Sequence, residues 1–190
     1  MINEDFFWDE YTIRKTEIEK IIRDNWIIMD SNSCSINFDG TINVDGNIKF
    51  AENMGFLKEL PLRFNKVSGD FDCSKLNLIS LKGSPMEVGG TFNCSYNQLS
   101  TLEHLPKKAG CFIFDNTVRS FYTGGLNCVF EKVVLLHITD ISDLNPSLTL
   151  ENYQLRVFFK YQCYFEVYNE KIFKNEAFQE LVKEMNEGLE

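Results

Sequence analysis

Between Val67 and Pro106, apolar and polar positions recur at a fixed spacing. Val67-Ser-Gly-Asp-Phe-Asp-Cys-Ser74 returns as Val88-Gly-Gly-Thr-Phe-Asn-Cys-Ser95, and Leu78 and Leu81 return as Leu99 and Leu102, each 21 residues on. A period of this size marks a solenoid, in which each repeat is one structural unit stacked on the last. Inside a repeat the period is two. Phe71 and Cys73 face one way and Asp70 and Asp72 the other, with Phe92 and Cys94 inside and Thr91 and Asn93 outside one repeat later. The pattern predicts short strands near residues 47–50, 70–73, 91–94 and 112–114, stacked as a parallel sheet in a right-handed solenoid. Gly69 and Gly89-Gly90 precede the strands, where a tight turn or close backbone approach excludes a Cβ. Pro85 and Pro106 break regular structure and start the next coil.

The pattern extends in weaker form on both sides. Ile36 and Phe38, the Asp39-Gly40 turn, and Ile42 and Val44 read as strand–turn–strand. Val44, Gly46, Ile48 and Phe50 then align with Val67, Gly69, Phe71 and Cys73 at an offset of 23, a first divergent repeat closing at Leu57, Leu60 and Pro61. A fourth copy begins near Ala109. Counting on by 21 from Cys94 would place Asp115 in the core. Deleting one residue instead places Phe112 and Phe114 inside and Cys111, Ile113 and Asp115 outside, a register that buries two rings rather than a carboxylate. Asn116, Val118 and Phe121 finish that coil and Gly124-Gly125 ends it.

The two ends follow other rules. Ile18, Ile21, Ile22 and Trp26 share helical spacing, so a helix is predicted over roughly Thr12 to Trp26, or from a later start if Thr16 and Glu19 form a capping box. It is expected to lid the first coil, with the aromatic stretch Asp5–Tyr11 packed nearby. Glu131–Ile138 reads equally as buried strand or short helix, and Asp140–Ser147 as a loop. Aromatics crowd Tyr153–Tyr168, and a last helix over Asn175–Glu187 places Phe178, Leu181, Val182 and Met185 on one face. The fold class is therefore α+β: a leucine-rich-repeat-like solenoid at 35–125 with a short-strand parallel sheet, an N-terminal helical cap at 1–34 and a C-terminal α/β cap at 126–190.

Charge and composition narrow the function. The net charge of −9 opposes ordinary nucleic-acid binding, which needs a Lys/Arg footprint. Acids concentrate at the ends: 10 against 5 bases in residues 1–50 and 8 against 5 in 151–190, with 6 against 7 in 51–108. No apolar run is long enough for a transmembrane helix, and the acidic Met1-Ile-Asn-Glu-Asp5 lacks a signal-peptide pattern, so a cytosolic location is expected. None of the six cysteines forms a C-x-x-C pair, which predicts free thiols rather than bridges or a metal site. Asp70 and Asp72 read as a solvated strand face, since Thr91 and Asn93 replace them one coil later. Cys111 has no general base near it in sequence, and His137 sits in an apolar run and reads as a hydrogen-bonded core residue. Gly89-Gly90 lacks the Lys-Ser/Thr of a phosphate loop.

The Val-x-Gly-x-Phe-x-Cys-Ser-x-Asn-x-Leu grammar of Val88–Leu99, with Ile42–Asn47 and Leu60–Val67 before it, resembles the short leucine-rich-repeat-like proteins of tailed bacteriophages and prophages. The resemblance covers about residues 36–121; Leu76 departs from it, since such repeats commonly carry Asn there. It implies the fold and no single activity. Together with the acidic charge it leads to the expectation of a non-catalytic protein-binding module. The expected role is a phage-derived inhibitor of a host defence protein, anti-CRISPR-like, obstructing a nucleic-acid channel. The expected contact is either the outward ladder Lys49, Asp70, Asp72, Thr91, Asn93 and Ile113 or the acidic, aromatic caps, with no catalytic residue, metal or cofactor. The alternative is a small enzyme with a Cys or Asp active site in the C-terminal third.

Overall fold

β2 (Ile42–Phe50) is the strand on which both halves of the main sheet are built. The computed structural model describes residues 15–51, 57–138 and 149–190. The aromatic stretch at 5–11, helix positions 12–14 and the loop at 140–147 lie outside them. On one side β1 (Ile27–Ile36) pairs antiparallel with β2, from Ile27↔Phe50 to Ile36↔Ile42. The connecting turn closes through Gly40 N–H donating to Asn37 O (3.0 Å) and Thr41 N–H to Asp39 Oδ1 (3.0 Å), with Gly40 at φ +77°. On the other side all pairing is parallel. β3 (Phe64–Val67) and β4 (Phe71–Asp72) are two pieces of one coil, followed by β5 (Glu87–Asn93), β6 (Lys108–Asp115) and β7 (Val129–Leu136). The result is a mostly parallel β-solenoid of about four turns, with three helices among the described residues.

The register follows the repeat. Val44↔Val67↔Val88↔Ala109 and Ile48↔Phe71↔Phe92↔Phe112 are lateral rows. The expected deletion is present: between Val88 and Thr91 the register shifts, so Gly89-Gly90 stand opposite the single Gly110. Phe112 and Phe114 are fully buried as a consequence. Phe71, Cys73, Leu78, Leu81, Phe92, Cys94, Leu99 and Leu102 are buried with them in one core.

A phenylalanine spine threads that core. Ring centroids are 6.0 Å apart for Phe50–Phe71, 5.7 Å for Phe71–Phe92 and 6.1 Å for Phe92–Phe112. Phe71, Phe92 and Phe112 hold the same position of successive coils, so the strand spacing sets the ring spacing. A buried amide ties the coils at their other corner. Asn97 accepts from Leu76 N–H (3.1 Å) and Leu78 N–H (3.0 Å) and donates to the Cys73 and Cys94 carbonyls (2.9 Å each). Backbone groups that turn away from the sheet ladder find their partners there. Leu76, at the equivalent position one repeat earlier, is buried as an apolar residue instead.

Several expectations change. The repeat register puts Asp115 outside, yet it is 2% exposed. Its carboxylate accepts from Tyr96 N–H, from Thr117 N–H (2.9 Å) and from Thr117 Oγ1 (2.5 Å), so local donors compensate its burial. Helical spacing puts Trp26 on the apolar stripe, but it is 68% exposed: α1 is helical through residues 15–24 in the described chain, and Trp26 adopts φ +48° where the chain turns into β1. Ile18, Ile21 and Ile22 do pack against the core. His137 is exposed rather than a core residue. The run at 131–138, whose periodicity fits strand and helix equally, falls largely in β7, the last strand of the same sheet. The parallel ladder therefore runs beyond residue 125.

α2 (Asn152–Tyr161) packs on β7, with Phe159 edge-on to Phe112 (5.4 Å) and Cys128 N–H donating to Phe159 O (2.9 Å). Asn152 Oδ1 accepts from Leu135 N–H on β7 (3.1 Å). A two-stranded hairpin, β8 (Tyr168–Asn169) and β9 (Ile172–Phe173), leads to α3 (Asn175–Asn186), which buries Phe178, Leu181 and Met185, while Val182 packs beside them. Among the described residues no helix is long and apolar enough to cross a membrane.

Candidate partner-binding face

Successive residues of a strand face opposite ways, so the side chains that alternate with the spine lie on the outer face of the sheet. In-register stacking turns equivalent positions into rows that cross the strands. One row is Ile28–Lys49–Asp72–Asn93–Ile113–Val134. Four of the six predicted contact residues, Lys49, Asp72, Asn93 and Ile113, are therefore lateral neighbours. They line an open groove of about 380 Å³ together with Tyr96 and Val134. Thr91 belongs to the adjoining row, Thr91–Cys111–Lys132. Asp70 sits beside Thr91, whose N–H donates to its Oδ1 (2.6 Å). Neither Asp70 nor Thr91 lines the groove.

The acidic and amide side chains here are also structural. Ser74 N–H donates to Asp72 Oδ1 (3.0 Å), and one coil on Ser95 N–H (3.1 Å) and Ser95 Oγ (2.8 Å) donate to Asn93 Oδ1. These turns end each strand and deliver the next residue into left-handed backbone: Lys75 has φ +60° and Tyr96, 21 residues later, φ +57°. Lys75 and Tyr96 then meet on the rim, with Nζ 5.7 Å from the ring centroid. Asp70 likewise carries a rung between coils: its own N–H donates to Asn47 Oδ1 (2.8 Å) while its carboxylate holds Thr91 N–H. The groove thus has a charged half over the early coils and an apolar half, Ile113 and Val134, over the late ones. Lys75, Tyr96, Val134 and Leu136 escape sequence reasoning. The repeat signals Lys75 and Tyr96 through their shared offset, whereas Val134 and Leu136 lie in the run whose periodicity does not separate strand from helix.

A second groove of about 340 Å³ crosses the other end of the strands. Lys66, Glu87 and Lys108 stand in register there, and Lys66 Nζ lies 2.7 Å from Glu87 Oε2. The bond from Lys66 holds the Glu87 carboxyl below its usual range.

All six cysteines are free thiols. Burial is the leading influence on each shifted thiol: it raises Cys111 and Cys163, pushes Cys128 up to about 12, and raises Cys94 and Cys73 strongly. A thiol is a nucleophile only as thiolate, so none of these is activated near neutral pH. No group of three or more His, Cys, Asp or Glu able to hold a metal occurs among the described residues.

The thiols make a testable pH dependence. A folded-state value raised above the unfolded one of 9.0 gives stability that is complete below about pH 9 and lost as pH rises toward the folded value. Each buried thiol contributes a slope of up to about 1.4 kcal/mol per pH unit in that window. Urea midpoints should fall as pH rises through about 9 to 10, and Cys128→Val should make the fall shallower; an equally steep fall in that variant refutes the assignment. In the native protein a thiol reagent should modify the exposed Cys34 at once, and Cys73, Cys94 and Cys128 only on unfolding.

Comparison of the chain with protein-family models, with curated proteins and with solved structures finds no match.

Proposed function

We propose that this chain is a non-catalytic, leucine-rich-repeat-like binding module, closed by α1 and β1 at one end and by α2 and α3 at the other, that engages a protein partner across the outer face of its sheet. The observation that carries this reading is the row Lys49–Asp72–Asn93–Ile113–Val134, one side chain from each of five adjacent strands lining one open groove. Lys49, Ile113 and Val134 in this row hold no turn and can vary without disturbing the spine behind them, which is the property a recognition surface requires. The protonated thiols and the engagement of Asp72 on its own turn favour binding over a Cys- or Asp-centred reaction.

The partner class we propose is a nucleic-acid-handling defence enzyme of a bacterial host, blocked by occupation of its nucleic-acid channel. This rests on the phage-like repeat grammar and on the charge of −9, which suits a basic surface. Association should weaken as salt rises, because exposed charges are screened over about 10 Å at 0.1 M.

The test is capture from bacterial lysate with the wild type and with an Ile113→Lys/Val134→Lys double variant, whose added positive charges oppose a basic surface, followed by mass spectrometry. These two positions leave the Asp72 and Asn93 turn bonds intact. The expected result is a specific partner whose retention drops at least about tenfold in the variant, about 1.4 kcal/mol, while the melting profile is unchanged. Undiminished capture by the double variant overturns the groove assignment.

A further inference from the structure

β1 stands at one edge of the main sheet. It pairs with β2 on one side, and among the described residues no strand pairs with its other side. In an antiparallel pair, backbone groups turn alternately toward the neighbouring strand and away from it. Trp26 O accepts from Ala51 N–H (3.1 Å) and Asn37 N–H donates to Thr41 O (2.8 Å), so the phase is fixed at both ends of the strand. Counting inward from those bonds, Ile28, Asp30, Ser33 and Ser35 turn their N–H and C=O toward β2. Ile27, Met29, Ser31, Cys34 and Ile36 turn theirs away. The register shift between Ser31 and Ser33, which skips Asn32, is what lets the two counts agree. The edge is open to solvent, with Asp30, Ser33, Cys34 and Ser35 exposed and Ile28 55% exposed. It also carries neither Lys nor Pro, the residues that commonly keep an edge from pairing. The opposite edge of the sheet is covered: α2 takes Cys128 N–H on Phe159 O and Leu135 N–H on Asn152 Oδ1.

We propose that β1 pairs antiparallel with β1 of a second copy of this chain, about a twofold axis at Ser31, joining two seven-stranded sheets into one. Three features select a second copy. The outward backbone set is symmetric about Ser31, so Ile27 meets Ile36 of the second copy and Met29 meets its Cys34, each pair exchanging both N–H···O bonds. The skipped Asn32 creates that symmetry, since in an unbroken strand Ile27 and Ile36 would turn to opposite sides. The faces match as well. Ile27, Met29, Cys34 and Ile36 stand beside the buried Phe50, Ile48, Val44 and Ile42, so each pair lies on the core side of the joined sheet. Finally, the one charge of the strand, Asp30, faces Ser33 of the second copy rather than another carboxylate. Pairing closes at two copies, because the covered β7 edge offers nothing to a third. The axis stands perpendicular to the sheet, so both outer faces point the same way and the dimer presents two grooves to one surface. No β1 residue lines the partner groove, so the dimer and the partner-binding reading are separable.

The test is sedimentation velocity of the full chain from micromolar to millimolar concentration. The expected result is a monomer–dimer equilibrium with no larger species. The dimer fraction should rise with salt, because two chains of net −9 repel each other less when screened. Partner capture has the opposite expected salt dependence. Ser33→Asp sets carboxylates opposite each other twice in the dimer and should weaken association about tenfold, about 1.4 kcal/mol. Adding Asp30→Lys to Ser33→Asp should restore it, a rescue that a merely misfolded variant does not show. Met29→Cys supplies an independent readout of the register. With oxidised glutathione as the oxidant it should form a disulfide to Cys34 of the second copy, seen as a linked peptide by mass spectrometry. Wild-type Cys34 should not link to its own copy, which lies about 14 Å away along the paired strands. A monomer at every concentration, oligomers beyond two, association indifferent to Ser33→Asp or not restored by Asp30→Lys, or no cross-link in Met29→Cys each overturns the proposal.

Discussion

Phe92→Ala should lower the unfolding free energy by about 3–5 kcal/mol, read as a shift in urea midpoint at unchanged slope. Phe92 is fully buried between Phe71 and Phe112, at 5.7 and 6.1 Å, so its loss opens a void in the middle of the spine. Neither flanking ring can fill that void, because each is pinned to its own strand by the parallel register. In a solenoid each coil is stabilised by its neighbours, so the damage should concentrate on β4, β5 and β6 and appear there first in hydrogen exchange. Tyr153→Ala, at a residue 65% exposed on α2, should change stability by no more than about 0.5 kcal/mol. An unchanged midpoint for Phe92→Ala would refute the register.

The repeat makes this spine legible. Phe71, Phe92 and Phe112 occupy matched positions, and an aromatic ring that returns at a near-constant offset must stack on its own copies in successive coils. Even the one-residue deletion is readable, because the alternative buries a carboxylate. The same argument fails for Asp115, which the register puts outside and the fold buries. Its carboxylate oxygens are met by Thr117 and Tyr96, a turn geometry that no apolar pattern encodes. β7 is ambiguous for a related reason. Val134 and Leu136 are apolar although they turn toward the groove, so the alternation that distinguishes a strand is erased. Trp26 misleads because its spacing fits the helix that ends just before it.

The candidate sites divide along the same line. Lys49, Asp72, Asn93 and Ile113 form a row because parallel stacking converts sequence offset into lateral adjacency, and that rule is visible in the chain. Asp70 and Thr91 follow from the same rule, but the Asp70 carboxylate is spent on the bond to Thr91 N–H that joins their coils. The grouping of residues around the C-terminal end of α2 is not legible. Tyr122, Gln162, Glu166 and Lys174 belong to separate segments and no period relates them; only the docking of α2 and of the hairpin on the last coil brings them together.

Gly89→Ala should destabilise the protein by about 3 kcal/mol, the upper range for forcing atoms into a filled space. A Cβ at Gly89 would lie 2.0 Å from Ser68 O and 2.9 Å from Ser68 C. Those are backbone atoms of the preceding coil, so no rotamer change relieves the clash and the coils must separate. Separation would strain the neighbouring rungs, Gly90 N–H to Gly69 O (2.9 Å) and Thr91 N–H to Asp70 Oδ1. The requirement is spatial rather than conformational, since Gly89 is not in left-handed backbone. Gly110 provides the graded comparison: a Cβ there would sit 3.0 Å from Gly89 O and 3.1 Å from Gly90 O, a crowding that a small shift relieves. Gly110→Ala should therefore cost markedly less. Thermal and urea denaturation of both variants measure the difference. Equal costs at the two positions would mean that close packing of the coil backbones is not what keeps Cβ atoms out of this stripe.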